Sequence, residues 1–289
     1  MKVLPLTVVL ALLVAALFTL PVIFTRQTDR DRFGALKFET TSAFSKIRIR
    51  EKGSTRTLLF VDDLGRERCQ SAVDLGDPGT LQLAYARSIF ASLLVRHPQE
   101  RVLILGLGGG GMVRFFRQHF PETTVDGVEI DPEVARLARD YFGVATDART
   151  GIHVADAFEF VHGTSTEYDA IYLDTFLRAP EESGLEEKTS RLKTIEFLST
   201  LKSRLRPGGV VAFNLIVSDP TTPADLVAIE TVFPGCARFA VPGTGNLAIL
   251  APAEGGVPDR EALERRGAEL DAIFDLGFSL RQVAGNRVE

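Results

Sequence analysis

Cysteine is scarce in this chain. Cys69 and Cys236 are the only two in 289 residues. Two thiols so far apart make neither a disulfide framework nor a zinc site, and they read as reduced structural thiols. Histidine is almost as sparse. His97, His119, His153 and His162 show no ligand spacing, so no metal is expected. Neither sign of charge dominates. The net charge is -5 with both signs interspersed, which gives no electrostatic case for a nucleic-acid partner. Internal repeats and low-complexity stretches are also lacking.

What is present is a large apolar fraction, 45% of the residues. That is ample for one full core with room for a small extra domain. The first segment stands apart. After Lys2, Val3–Phe24 carries no charge and is almost wholly apolar. A bilayer core needs about 20 such residues. A secretory signal peptide is the rival reading, but its apolar core is shorter and ends in small residues. Here the run ends Leu20-Pro21-Val22-Ile23-Phe24. The expectation is an uncleaved single-pass transmembrane anchor over residues 1–25, followed by a polar linker over 26–37. Arg26, Arg30, Arg32 and Lys37 lie beyond the span, against Lys2 before it. The positive-inside tendency therefore places the following domain in the cytoplasm, with the membrane as a partner through the N-terminal helix.

From Phe38 the pattern changes to short alternating runs, Lys46–Arg50, Thr57–Val61 and Glu67–Ala72, separated by Gly53-Ser54 and Asp62-Asp63. These predict a small antiparallel β unit over 38–78. Leu81–Val95 has helical spacing. From Arg101 strands and helices alternate. Strands are expected at Val102–Leu105, Thr124–Val128, Ile152–Ala155, Ala170–Leu173 and Val210–Leu215. Helices are expected at Met112–Phe120, Pro132–Tyr141, Ala157–His162, Thr194–Leu205 and Pro223–Phe233. This predicts an α/β domain over 79–289 with a parallel, Rossmann-like sheet covered on both faces. An edge hairpin, Gly235–Ala240 with Leu247–Ala251, and an amphipathic helix over Asp259–Phe274 close the chain.

The chemistry concentrates in Arg101–Asp131, RVLILGLGGGGMVRFFRQHFPETTVDGVEID. A strand enters a glycine loop with Gly106, Gly108, Gly109, Gly110 and Gly111. A helix follows, then a strand ending in Glu129. Glycines let the backbone approach a nucleotide, and an acid at the second strand's end accepts from ribose hydroxyls. Gly106, Gly108 and Gly111 also fit the dinucleotide fingerprint of a dehydrogenase. No second domain is evident to bind a hydride partner, however, and the next two strands also end in acids, Asp156 and Asp174. In an open α/β sheet ligands sit beyond the C-terminal strand ends. The glycine loop, Glu129, Asp156 with Ala157, and Asp174 should share one crevice. Singly, Glu129 also reads as a solvated strand end, Asp156 as a helix N-cap and Asp174 as a loop acid.

These residues resemble the polyamine aminopropyltransferases, the spermidine synthase family and its bacterial spermidine-synthase-like branch. The resemblance runs from about Phe60 to Leu215. It rests on Phe60-Val61-Asp62-Asp63 through Gln70-Ser71, Tyr85, the glycine loop, Val128-Glu129-Ile130-Asp131, Asp156-Ala157-Phe158-Glu159-Phe160, Asp174, Glu196-Phe197 and Leu205–Val210. It implies a methyltransferase-type Rossmann-like fold and decarboxylated S-adenosylmethionine as co-substrate. It further implies a polyamine or other amine acceptor, and often a homodimer. Asp174 would orient the amine and be its base, and Tyr85 and Gln70 would position donor or acceptor by hydrogen bonds. The chain departs from the family pattern at three places. Gly109 stands where the family has an aspartate. Thr175-Phe176-Leu177-Arg178 replaces the rest of D-S-S-D-P, and Tyr85-Ala86-Arg87 replaces Y-H-E. Asp219, Glu181 and Glu182 are candidates to supply the missing charge, and Thr175–Ser190 has the length of a lid. Two other readings follow from the departures. One is a methyltransferase using intact S-adenosylmethionine, since Gly109 puts no charge against the cofactor's carboxylate. The other is a membrane-tethered cofactor-binding protein without turnover.

Overall fold

A computed structural model describes residues 32–175 and 191–288. The small sheet comes first and has four antiparallel strands, β1 (Ala35–Thr41), β2 (Lys46–Lys52), β3 (Thr55–Val61) and β4 (Glu67–Asp74), paired in sequence order. Strand alternation decides its buried face. Ile47, Ile49, Leu58 and Val73 point the same way and pack on Val134, Leu137 and Phe142 of the helix Pro132–Phe142. The contact is also polar. The Ser42 hydroxyl donates to Asp131 (2.5 Å) and Arg56 donates to the Tyr141 carbonyl (2.6 Å).

The large sheet has eight strands. They are β5 (Arg101–Leu105), β6 (Thr124–Glu129), β7 (Thr150–Val154), β8 (Tyr168–Leu173), β9 (Leu205–Ile216), β10 (Ala237–Ala240), β11 (Asn246–Pro252) and β12 (Arg287–Val288). Their order is β12-β10-β11-β9-β8-β5-β6-β7. Strands β5 to β9 run parallel, and β10, β11 and β12 add an antiparallel flank. Both faces are covered, so the central strands are mostly apolar on both sides rather than alternating apolar with polar. Val102, Ile104, Tyr172 and Ala212 belong to the core on one face. Leu103, Leu105, Ile171 and Phe213 belong to the core on the other. This is a Rossmann-like α/β sheet of the methyltransferase type.

Helix starts follow local chemistry. Pro132 occupies the first turn after Asp131, whose carboxylate accepts from the Glu133 amide. Asp156 and Thr194 cap their helices in the same manner. The single helix expected over Leu81–Val95 is instead two short ones, Ala84–Ile89 and Ser92–Val95. Leu83 has extended backbone, and the Arg87 guanidinium holds the Leu81 carbonyl (2.8 Å), which keeps 81–83 out of the helix. β1 was not foreseen, and it begins inside the stretch read as linker. The hairpin of β10 and β11 is present, but the two-residue β12 outside it takes the edge. The terminal helix expected over Asp259–Phe274 spans Arg260–Asp271, and a further helix, Leu280–Gly285, follows it.

One expectation is corrected. Among the described residues no helix is long and apolar enough to cross a membrane. Val3–Phe24 lies outside the described residues. The transmembrane anchor, the membrane as a partner and the membrane-anchored location are therefore withdrawn. Glu181, Glu182 and nearly all of Thr175–Ser190 also lie outside the described residues.

Candidate active site

The parallel strands β5, β6, β7 and β8 all end on one side of the sheet, and their following loops border an open cleft. Gln70, Tyr85, Gly106, Gly108, Gly111, Glu129, Asp156, Ala157 and Asp174 all line it. Gly109 and Gly110 are not among the lining residues. Topology explains this convergence, because a parallel sheet puts every strand-to-helix loop at the same edge. The small sheet supplies the far wall with Phe60, Gln70, Ser71 and Ala72.

Glycine is required at two points of the loop. Gly106 has φ +93°, and a Cβ there would lie 2.3 Å from the Asp174 carbonyl oxygen. The close approach comes from paired strands, since the Asp174 amide donates to Leu105 O and the Gly106 amide to Val128 O, both at 2.9 Å. Gly110 has φ +71° as N-cap of Gly111–His119, with Val144 Cγ2 only 2.2 Å from any added Cβ. Arg114 fixes the loop from behind. Its guanidinium donates to the carbonyls of Gly109, Phe142 (2.9 Å) and Pro78 (2.9 Å), and burial pulls its pKa down to about 10. Sequence reasoning passed over this lone cation on an otherwise apolar helix face.

Glu129 ends β6 and is 7% exposed. Its Oε2 accepts from the amides of Leu107 (3.1 Å) and Gly108 (3.2 Å), and its Oε1 from Asp131 N (3.0 Å). Burial raises its pKa, against the three amides, which favour the charged form. It therefore clamps the glycine loop as well as facing the cleft. Asp156 caps its helix by accepting from Phe158 N (2.9 Å) while lining the cleft. The helix-cap reading and the crevice reading of this residue are thus compatible.

Asp174 follows β8 and lines the cleft, partly buried. Burial pushes its pKa up to about 6, against hydrogen bonds from Asn214 and Tyr85. Asn214 Nδ2 donates to its Oδ1 at 2.9 Å. The Tyr85 hydroxyl completes the pair, and burial beside that carboxylate drives the phenol's pKa well above its ordinary value. The arrangement is a carboxylate of raised pKa, held between an amide and a protonated phenol. Such a group can take a proton at physiological pH. Asn214 was not foreseen, although one amide within the apolar run VVAFNLI is a visible signal.

The departures also have definite places. A Cβ on Gly109 would lie 2.7 Å from Ser71 Oγ, 2.9 Å from Ser71 Cβ and 3.1 Å from Phe142 Cδ1. Ser71 therefore fills the space that a side chain at 109 would need. Asp219 does not line the cleft; its Oδ1 accepts from Thr221 N and Oγ1, both at 3.0 Å.

The chain is similar to several known proteins. Residues 82–218 match the spermine/spermidine synthase domain. A polyamine aminopropyltransferase from Chromobacterium violaceum is 31% identical over 246 residues, 82% of this chain and 87% of the relative. Among solved structures, a probable spermidine synthase from Corynebacterium glutamicum superposes with TM-score 0.65 at 23% identity, covering 81% of this chain and 87% of that one. Human methyltransferase-like protein 13, in complex with SAH, superposes with TM-score 0.53 at 26% identity, covering 64% and 92%. A glycine loop and three strand-end acids converge on one cleft, and the likeness to the Chromobacterium protein runs through more than four fifths of each chain. The chain is therefore a transferase and belongs to the polyamine aminopropyltransferase (spermidine synthase) family.

Proposed function

We propose that this transferase moves an aminopropyl group from decarboxylated S-adenosylmethionine to an amine acceptor, with Asp174 as base. The observation that carries the reading is the place of the Asp174 carboxylate, in the cleft beyond β8 and held by Asn214 Nδ2 at 2.9 Å, where desolvation pushes its pKa up to about 6. The acceptor arrives as an ammonium with a pKa of about 10, like a lysine. Asp174 takes its proton. The freed nitrogen lone pair attacks the donor carbon next to sulfur, and the carbon–sulfur bond breaks toward sulfur. The positive charge of the sulfonium is cancelled, and neutral 5'-methylthioadenosine leaves. Glu129 offers its oxygens to the ribose hydroxyls and Asp156 accepts from the adenine amino group. Gly106, Gly108 and Gly111 let the nucleoside lie against the backbone. Tyr85 and Gln70 orient the amine or the donor's propyl chain. Holding amine and donor together supplies much of the remaining rate.

A second reading keeps the site but uses intact S-adenosylmethionine as a methyl donor. Ser71 favours it, because it fills the space beside Gly109 with a neutral hydroxyl where no carboxylate can stand unless Ser71 moves. Calorimetric titration of the full chain separates the two. Decarboxylated S-adenosylmethionine and methylthioadenosine are expected to bind at least about tenfold more tightly than the intact cofactor, the equivalent of 1.4 kcal/mol. Preference for the intact cofactor would sink the aminopropyl reading.

A further inference from the structure

Asp174 is reached by a chain of amides that the family resemblance does not account for. Asn214 is 2% exposed, on the same face of β9 as Val210 and Ala212. Neighbours on that face are apolar, so a buried amide there must find partners at both ends or cost stability. Both ends are met. Its Nδ2 donates to Asp174 Oδ1 and its Oδ1 accepts from Asn246 Nδ2, each at 2.9 Å. The polarity of this chain is fixed by chemistry. An ionised carboxylate only accepts, so Asn214 must turn its nitrogen to Asp174. Its oxygen then faces Asn246, which must offer a donor. Asn246 itself is anchored. It pairs with Ile216 across β11 and β9, and its backbone N–H donates to Thr244 Oγ1 (3.1 Å). The turn before it is tied down too, since the Val217 amide donates to Gly245 O at 2.8 Å.

We propose that Asn246 is a positioning residue. It holds the Asn214 amide in the one orientation that presents a donor to Asp174, and so keeps the base charged and aimed. This rests on the reading of Asp174 as the base. Without the Asn246 donor, Asn214 can turn its carbonyl toward the carboxylate, and that contact favours the protonated form. The other titratable groups around Asp174 do not duplicate the effect. Tyr85 is held protonated, the Cys69 thiol is pushed up to about 11 by burial, and Glu129 is engaged by loop amides. Asp156 lines the same cleft as a helix cap.

The test is the pH profile of kcat/KM with decarboxylated S-adenosylmethionine and a diamine. It compares the full chain with Asn246→Ala, Asn246→Asp and Asn246→Gln. Wild type should show an acid limb near the Asp174 value of about 6. Asn246→Ala should move that limb up by roughly half a pH step. Asn246→Asp should move it by about one, because Asn214 then turns its nitrogen to the new carboxylate and its oxygen to Asp174. Asn246→Gln keeps the donor and should return the limb to within a few tenths of wild type. Asn246 is half-buried at a strand start, and thermal melting checks that each variant folds. A purely structural role would lower rates at every pH and leave all four limbs coincident, which would overturn the proposal. Asp174→Asn separates this failure from failure of the base. If that variant keeps activity within a few-fold, the base reading falls and the positioning role falls with it. If it is inactive while the four limbs coincide, only the role of Asn246 is lost.

Discussion

Asp174→Asn is expected to reduce turnover at least about a hundredfold, the usual cost of losing a general base, while making the protein more stable above pH 6. The two effects have one cause. Burial raises the pKa of this carboxyl from an ordinary value of 3.8 to about 6, so the charged form is what the fold tolerates poorly. That displacement corresponds to at most about 3 kcal/mol, and less where water in the open cleft reaches the carboxylate. The sign follows from linkage. A carboxyl with a raised folded pKa contributes stability that is present below the unfolded value and lost as pH rises through the folded one. Wild type and Asp174→Asn should therefore melt alike near pH 4. The variant should gain between pH 4 and 6, and the gap should stay constant above. The Asn side chain still offers an oxygen to Asn214 Nδ2, so the neighbouring amides remain in place. Melting curves at pH 4, 6 and 8 check the first claim and initial rates the second. A variant that melts lower than wild type at pH 8 would contradict the account of Asp174.

Gly106→Ala is expected to damage both fold and site. The new methyl would stand 2.3 Å from the Asp174 carbonyl oxygen, at a backbone φ of +93°. Neither strain can relax cheaply, because the obstacle is main chain held by the β5–β8 and β5–β6 ladders. Strain of about 1–3 kcal/mol for the backbone alone, plus the clash, puts the cost at roughly 3 kcal/mol or more. Moving these two strand ends apart also displaces Asp174 from the glycine loop, so methylthioadenosine affinity should fall at least tenfold. Gly143→Ala is the control. Gly143 also has positive φ, at +70°, as the C-cap of Pro132–Phe142, but an added Cβ meets nothing within 4 Å. It should cost about 1 kcal/mol and leave binding unchanged. Urea unfolding and calorimetry read both variants. Unchanged nucleoside affinity in a folded Gly106→Ala protein would show that the close approach at this turn does not build the site.

Much of the site was legible because a parallel sheet converts sequence order into spatial order. An acid at the end of each successive strand must arrive at one edge, so Glu129, Asp156 and Asp174 could be grouped without any coordinates. The glycine loop could be read the same way, since a strand entering glycines and leaving as a helix has few other uses. What sequence missed came from contacts between distant segments. Nothing local to Gly109 says that Ser71 of the small sheet fills the space beside it. Asn214 and Asn246 become a pair only through the β9–β11 register. β1 was lost beside a polar stretch, and the late helix start after Leu83 depends on a side chain, Arg87, folding back onto the Leu81 carbonyl. The acids at strand ends also proved to have structural duties, with Glu129 clamping the loop and Asp156 capping a helix. Neither duty competes with a ligand, because each carboxylate has further lone pairs to offer.

The most direct test of the central claim is turnover by the full chain with decarboxylated S-adenosylmethionine and a diamine, read by mass spectrometry. The account predicts equal amounts of methylthioadenosine and of an amine carrying one added aminopropyl group, both lost in Asp174→Asn. Methyl transfer from intact S-adenosylmethionine to an amine, with no aminopropylated product from the decarboxylated donor, would contradict it.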